Sequence, residues 1–538
     1  MRKILTILSA TLITGSLFAG GLVTNTNQSA SWVRLPARDA STEIDAVYYN
    51  PAGLMKLENG FHISISNQVI SQNKEVENFY SGPGGNFGLN ESLYKGKVSA
   101  PLFPGVYAAF KTDRLAFSLG FNPIGGGGGA TFDKGLPSFE MTPSDLVPSL
   151  ASQGAKAYRL DTYFEGTSVY FGLQGGVSYK INDFISVAAG VRYVMAKNTY
   201  DGYLRGIELN MGTAETPVWT RADAIMNGIA GQATTAAQST TALVGGGAGS
   251  LTLAQAEAAS IITAQQRGAL EGALAGFGSP ITVTIATADA VFKGAAAKYT
   301  ATASLLGDQS AEVEQTGSGI TPFISVNLSP AENLNIGIKY EMATKLELEN
   351  KTTKDFTVGY TSEGVPVTMF PDGEKLRNDM PAMLAVGVDY GATEKLNIAA
   401  GVHYYFDKSA NYGHKLNGVF VDNDIIIDKN YYEASAGLQY KINEWLLVSG
   451  GYLYSKTGVN NNYQSDLTYS LTSHTGGLGG KVKLFDNLAL NLGFAYTYYL
   501  DGETTINHLF SATNTVIPAR ETYFKDTMII AAGIDLNF

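Results

Sequence analysis

The segment Met528–Phe538 alternates strictly. Met528, Ile530, Ala532, Ile534, Leu536 and Phe538 are apolar, while Gly533, Asp535 and Asn537 stand among the residues between them. Period 2 sends one set to each face of an extended strand. The pattern recurs at Leu488, Leu490, Leu492, Phe494, Tyr496 and Tyr498, which alternate with Ala489, Asn491, Gly493, Ala495 and Thr497. It recurs again from Leu396 to Phe406 and from Leu334 to Met342. One face is bulky and apolar with Tyr near the strand ends, and the other is small, polar or charged. That is the apolar-out, polar-in pattern of a membrane barrel, the inverse of a soluble one.

Short polar breaks join these segments. They fall at Thr112-Asp113, Asn182-Asp183, Pro330-Ala331-Glu332, Gly391 to Glu394, Asn443-Glu444 and Asp486-Asn487. Each is tight enough for a hairpin, and the stretches between hairpins are longer and rich in Gly, Asn, Thr and Asp. The alternation predicts fourteen strands, at 60–72, 98–111, 114–123, 166–181, 184–200, 312–328, 333–350, 380–390, 395–409, 431–442, 445–457, 472–485, 488–501 and 522–538. An even number with short turns on one side and long loops on the other predicts an all-β fold. It is a 14-stranded antiparallel transmembrane β-barrel spanning 60–538, its short turns in the periplasm.

Composition agrees. Charged residues are 16% of the chain, against roughly 25% in an ordinary soluble protein, while Gly (61), Tyr (30) and Phe (25) are abundant. The net charge of −11 argues against a nucleic-acid partner. Cysteine is absent, in keeping with export through an oxidising compartment. Arg2 and Lys3, the apolar run Ile4–Phe18 and the small residues Ala19, Gly20 and Gly21 read as a secretory signal peptide over 1–20.

Two segments lie outside the expected wall. Residues 21–59 precede the first strand, carry Trp32, Arg34, Arg38, Asp39, Glu43 and Asp45, and form a tail or a plug. Residues 205–300 are rich in Ala, Thr and Gly, and read as a long, partly helical extracellular loop. Thr252 with Gln255 has the form of a capping box. Ile262, Ala269, Leu270, Ala273, Leu274 and Phe277 share a helical face that ends at Gly278 and Pro280. If exposed, Ile262, Leu270, Leu274 and Phe277 would make a capture surface for a greasy ligand. A low-complexity insert is the plainer reading.

The run Ala46-Val47-Tyr48-Tyr49-Asn50-Pro51-Ala52-Gly53-Leu54, within the segment that opens at Gly20-Gly21-Leu22, resembles the N-terminal hatch signature of the FadL family of outer-membrane long-chain fatty acid and hydrophobic-compound transporters. Its centre is the triplet Asn50, Pro51 and Ala52. Fourteen strands, a long helical third external loop and a terminal Phe are similar too. The resemblance implies a multi-pass protein of a Gram-negative outer membrane whose hatch plugs the barrel. Ligand would be caught by surface loops and released sideways where the third strand is kinked. Here that strand runs Leu115 to Pro123 and is followed by Gly125 to Gly129. Asn122, Pro123, Gly125 and Gly126 are the candidates for a lateral opening, because proline cannot donate to the sheet and glycine weakens it. An ordinary loop beginning at Asn122 is the alternative. The glycine run is no phosphate loop, since no Lys-Ser/Thr follows it.

By alternation Arg192, Lys339, Glu341 and His403 face the lumen. Arg192 and Lys339 are candidates for a ligand head group, or for internal ion pairs. His62, His403, His414, His474 and His508 have no catalytic or metal-ligand spacing, so no enzyme, cofactor or metal is expected. The expected partners are hydrophobic small molecules such as fatty acids, outer-membrane lipid, and the barrel assembly machinery during biogenesis. A diffusion porin and a surface adhesin on a barrel scaffold are the competing functions.

Overall fold

The computed structural model describes residues 22–361, 364–416 and 419–538, so the expected signal peptide lies outside the described residues. Fourteen antiparallel strands close into a barrel. They are β1 (Gly60–Asn78), β2 (Leu93–Lys111), β3 (Leu115–Phe132), β4 (Ala157–Lys180), β5 (Ile185–Asn210), β6 (Gln309–Ala331), β7 (Leu334–Glu341, continued as Glu347–Lys354) and β8 (Lys375–Arg377, continued as Met383–Gly391). The remainder are β9 (Leu396–Tyr405), β10 (Tyr432–Lys441), β11 (Leu446–Lys456), β12 (Ser473–Phe485), β13 (Leu488–Tyr499, continued as Gly502–Phe510) and β14 (Thr515–Asn537). β1 pairs with β14 from His62↔Asn537 to Asn78↔Glu521, which removes both sheet edges. All the short breaks read from sequence are tight turns at one end of the barrel.

Alternation places the side chains as expected. Ile65, Val69, Leu119, Val191, Ile324, Leu492 and Ile530 are exposed on the outer surface, while Asn491, Thr497, Lys339 and Asp535 are buried within. Exposed apolar side chains all round a closed barrel suit hydrocarbon, where every backbone group must pair internally. No described helix is long and apolar enough to cross a membrane.

At the long-loop end the ladders run past the boundaries read from sequence. β1 extends to Asn78, β3 to Phe132 and β5 to Asn210, while β2 begins at Leu93 and β4 at Ala157. The outward residues there include Glu75, Lys95, Lys97 and Asp201. The apolar signal therefore stops although backbone pairing continues. β7 and β8 are each interrupted, and across the interruptions they are linked by the bridge Thr344↔Met380 and by the Asn378 N–H, which donates to the Leu346 carbonyl at 2.9 Å. Pro381, beside that bridge, has no N–H to give.

The segment read as a loop over 205–300 is accordingly shorter at its start and longer at its end. α5 (Ala222–Gly245), α6 (Leu253–Ala258), α7 (Ala264–Gly276) and α8 (Ile285–Leu305) form a helical arm between β5 and β6. Thr252 and Thr263 each head a helix with a complete capping box. Ahead of β1, α1 (Ala30–Arg34), α2 (Ala46–Tyr49) and a 3-10 helix (Pro51–Lys56) lie inside the barrel, and two further short helices, α3 (Pro137–Ser144) and α4 (Leu146–Ser149), join β3 to β4.

Candidate functional site

Residues 22–56 fill the lumen through polar bonds to the wall. Arg34 is fully buried and donates to Gln439 Oε1 at 2.6 Å, Ser449 Oγ at 3.0 Å and Asn491 Oδ1 at 3.2 Å. Arg38 grips Asp45 through two bonds of 2.9 and 2.8 Å. Glu43 accepts from Lys481 on β12 at 2.8 Å, and Lys481 also reaches Asp535 on β14. On β9, His403 is held between Asp39 of the plug and Glu433 of β10. Charges buried at this depth persist only when paired and hydrogen-bonded, so the network fixes the plug's position on the β9–β14 side.

On the opposite side the triplet Asn50-Pro51-Ala52 is stapled to three wall strands. Asn50 Nδ2 donates to Asn327 Oδ1 on β6 at 2.8 Å and to the Ser41 carbonyl at 3.2 Å. Ser178 and Ser186 donate to the carbonyls of Pro51 and Ala52, each at 2.7 Å, and Ser325 accepts from the Ala52 N–H at 2.9 Å. Pro51 occupies the first turn of the 3-10 helix, where its missing N–H costs nothing. The triplet thus starts that helix, and the first strand begins later, at Gly60.

The wall has a gap beside the plug's first described residues. β2 and β3 pair at Lys97↔Thr131 and again at Val106↔Phe121, with no ladder between. β3 is irregular there, with register shifts after Pro123 and Gly125 against β4. It nevertheless continues as a strand beyond Asn122. Gly126 has φ +93°, a conformation that suits glycine. Val23–Asn25 lie against the kink. Thr24 bridges Gly125, the Asn25 N–H bonds the Ile124 carbonyl at 2.9 Å, and the Gly126 N–H bonds the Val23 carbonyl at 3.2 Å. A Cβ at Gly125 would stand 2.2 Å from the Val23 carbonyl oxygen, so only glycine admits this approach. Asn122 is fully buried and its amide bonds Gln28 of the plug.

Both lumen cations read from sequence are spent on one carboxylate. Arg192 makes a fork of 2.8 and 2.7 Å to Glu341, and Lys339 lies 2.5 Å from the same group. The two cations also flank the ring of Tyr48, at 4.9 and 4.4 Å from its centroid. Arg192, Glu341 and Tyr48 line a narrow internal space with Thr24, Ile124 and Met380, adjoining the gap. The role of Tyr48 had no signal in sequence, because it arises from side chains about 150 and 290 residues away.

The four capture candidates are placed otherwise than expected. Ile262, Leu270 and Leu274 are buried, and Phe277 packs with them against Phe292, Ile285 and Leu253. A helical face exposed in one helix is covered once α5 and α8 lie alongside, so these side chains form the arm's own core and leave no open apolar platform. Among the described residues no group of His, Asp and Glu is arranged to hold a metal.

No family model and no curated protein sequence matches the chain. Solved structures do. A FadL homologue from Pseudomonas aeruginosa superposes with a TM-score of 0.59 at 13% identity, over 96% of this chain and 100% of that one. The TodX monoaromatic hydrocarbon channel, as its deltaS2S3 mutant, superposes with a TM-score of 0.51 at 14% identity, over 96% and 100%. The chain shares the fold of FadL-type outer-membrane transporters.

Proposed function

We propose that the protein carries hydrophobic molecules passively across a Gram-negative outer membrane. Long-chain fatty acids or compounds of similar apolar character are the cargo, and residues 21–59 act as a hatch. Cargo enters from the long-loop, extracellular end and leaves sideways through the gap between β2 and β3. The interruption of that ladder carries this reading. A wall that had only to be stable would keep its hydrogen bonds, since unpaired backbone in hydrocarbon costs several kcal/mol per group. Here Ile124 and Gly126 of β3 bond Val23–Asn25 of the plug instead, and withdrawal of that segment would open the wall. Pro123, Gly125 and Gly126 hold the break open, and Asn122 latches it to Gln28. The outer wall beside it, around Phe110, Phe117 and Leu119, offers an apolar landing surface. Arg192 or Lys339 would meet a carboxylate head only by exchanging it for Glu341.

A diffusion porin needs an open lumen, and the buried plug disfavours one. The test is uptake of a labelled long-chain fatty acid by cells lacking other transporters for it, together with planar-bilayer conductance. Uptake above the empty-vector level without a large steady conductance is expected. A large conductance, or no uptake of any hydrophobic probe, overturns the reading.

A further inference from the structure

The connection from β3 to β4 is buried where a surface loop is ordinarily exposed. In α3 and α4, Phe139, Glu140, Met141, Asp145 and Val147 are each at most 6% exposed. Their neighbours come from all round the barrel mouth. Phe139 packs on Phe164 of β4 and on Phe356, beyond β7. The Ser138 N–H donates at 2.8 Å to Asp466, in the connection from β11 to β12. Met141 shares a small core with Tyr80, beyond β1, and Ala519 of β14. The segment therefore lies across the long-loop end of the barrel as a cover.

The two margins of this cover are held by different forces. Toward β4 and β5 the hold is apolar: Leu136, Val147 and Leu150 belong to one core with Tyr200 and Leu204. Glu140 is fixed by the hydroxyls of Tyr94 on β2 and Tyr158 on β4, the latter at 2.6 Å, and by the Asn90 N–H at 2.7 Å. Toward β13, β14 and β1 the hold centres on one carboxylate. Asp145 accepts from the Tyr80 hydroxyl at 2.5 Å and from His508 Nε2 of β13 at 2.6 Å. The His508 ring stands edge-on to that of Tyr80, 5.0 Å between centroids. A carboxylate buried in this way stays buried only while its bonds are made. At the ends of the segment stand Gly135, with φ +64°, and Gly154, with φ +106°. Glycine adopts both conformations without strain and absorbs backbone rotation there.

We propose that residues 135–154 are a lid over the extracellular mouth, hinged at Gly135 and Gly154 beside β3 and β4, and latched through Asp145 to Tyr80 and His508. Cargo enters only when the latch breaks. The inference rests on the transport reading above and adds a second closure, at the entrance, to the plug within. Opening transfers the carboxylate, the hydroxyl and the imidazole to water, which bonds all three in place of one another. The latch thus holds the lid shut at rest and yields at modest cost.

The chain has no cysteine, so introduced thiols are read without background. The first experiment places Val147→Cys under the lid of the purified full-length protein in detergent and measures its labelling by a water-soluble maleimide. Adding Asp145→Ala should speed labelling about tenfold, as local opening becomes more frequent. An unchanged rate overturns the latch. The second experiment uses cells carrying Asp145→Cys with His508→Cys, bridged by a short bis-methanethiosulfonate. Uptake of labelled laurate should fall to the empty-vector level and return on reduction. A monofunctional thiosulfonate on the same thiols should leave uptake as it is after reduction. Undiminished uptake by the bridged protein overturns the lid, and so does an equal block by the monofunctional reagent, which assigns the effect to obstruction. If the native protein takes up no hydrophobic probe, the transport reading fails, and the labelling rates still decide whether the segment opens at Asp145.

Discussion

Asp39 of the plug and His403 of β9 meet at 2.5 Å, carboxylate to Nε2, while the other ring nitrogen lies 2.9 Å from Glu433. The imidazole thereby ties the plug to two strands of the wall. Removing one partner of such a buried group leaves the other charge uncompensated, a loss of about 3–5 kcal/mol. Asp39→Ala is expected to loosen the plug without unfolding the barrel. Heat-modified migration should be unchanged while planar bilayers show conductance bursts absent from the native protein. A silent bilayer trace would remove the tie from the account.

The stapled triplet makes a different prediction. Asn50→Ala with Pro51→Ala deletes the bond to Asn327 and frees the start of the 3-10 helix. The wall strands keep their ladders, so assembly in the outer membrane should persist, whereas uptake of a labelled fatty acid should fall severalfold. Wild-type uptake by the assembled double variant would leave the triplet with a purely structural role.

At the gap, Gly125→Val forces a side chain into the space held by the Val23 carbonyl oxygen. The segment Val23–Asn25 must leave the wall. Hydrogen exchange over residues 22–28 should accelerate by about tenfold or more, as expected when a bonded segment becomes locally open. Exchange as slow as in the native protein would mean that β3 moves and the plug does not.

The arm has a core of its own, beyond the ends that pack on the barrel through Ala222, Met226 and Ala303. Leu274 is fully buried among Phe292, Ile285 and Leu253. Leu274→Ala should cost about 2–5 kcal/mol, felt within the arm alone. Limited proteolysis should cut between 245 and 285 in the variant, while the barrel stays heat-modifiable. Deletion of 222–305 should likewise leave a barrel, because the wall takes none of its ladder from the arm.

Asp407, just beyond β9, gives a pH dependence outside the membrane band. Burial pushes its carboxyl up to about 6, against a Tyr412 hydroxyl at 2.5 Å and the Tyr431 N–H at 3.1 Å. The folded loop therefore holds this proton more tightly than the unfolded chain does. Its contribution to stability is fullest below the ordinary carboxylate pKa, about 4, and is lost as pH rises through about 6. Amides of residues 406–413, corrected for intrinsic rates, should be better protected near pH 4 than near pH 8. In Asp407→Asn the difference should vanish.

Much of this protein was legible from local pattern. The fourteen strands, the short turns and the lumen-facing parity of Arg192, Lys339, Glu341 and His403 all follow from period 2, which is written within a few consecutive residues. The helical face from Ile262 to Phe277 was legible for the same reason, through period 3.6. What covers each face was not. Leu270 and Leu274 read as open until α5 and α8 close over them. Arg192 and Lys339 read as head-group candidates or as members of internal ion pairs alike, until Glu341, Tyr48 and the plug decide for the ion pair. Residues 21–59 read as tail or plug alike, since Arg34 finds Gln439, Ser449 and Asn491 only after some 400 residues of barrel have closed around it. Backbone geometry at one position is dictated by its neighbours in sequence. The partner of a buried charge is dictated by which strands barrel closure brings together, and that distance in sequence is what only the tertiary structure decides.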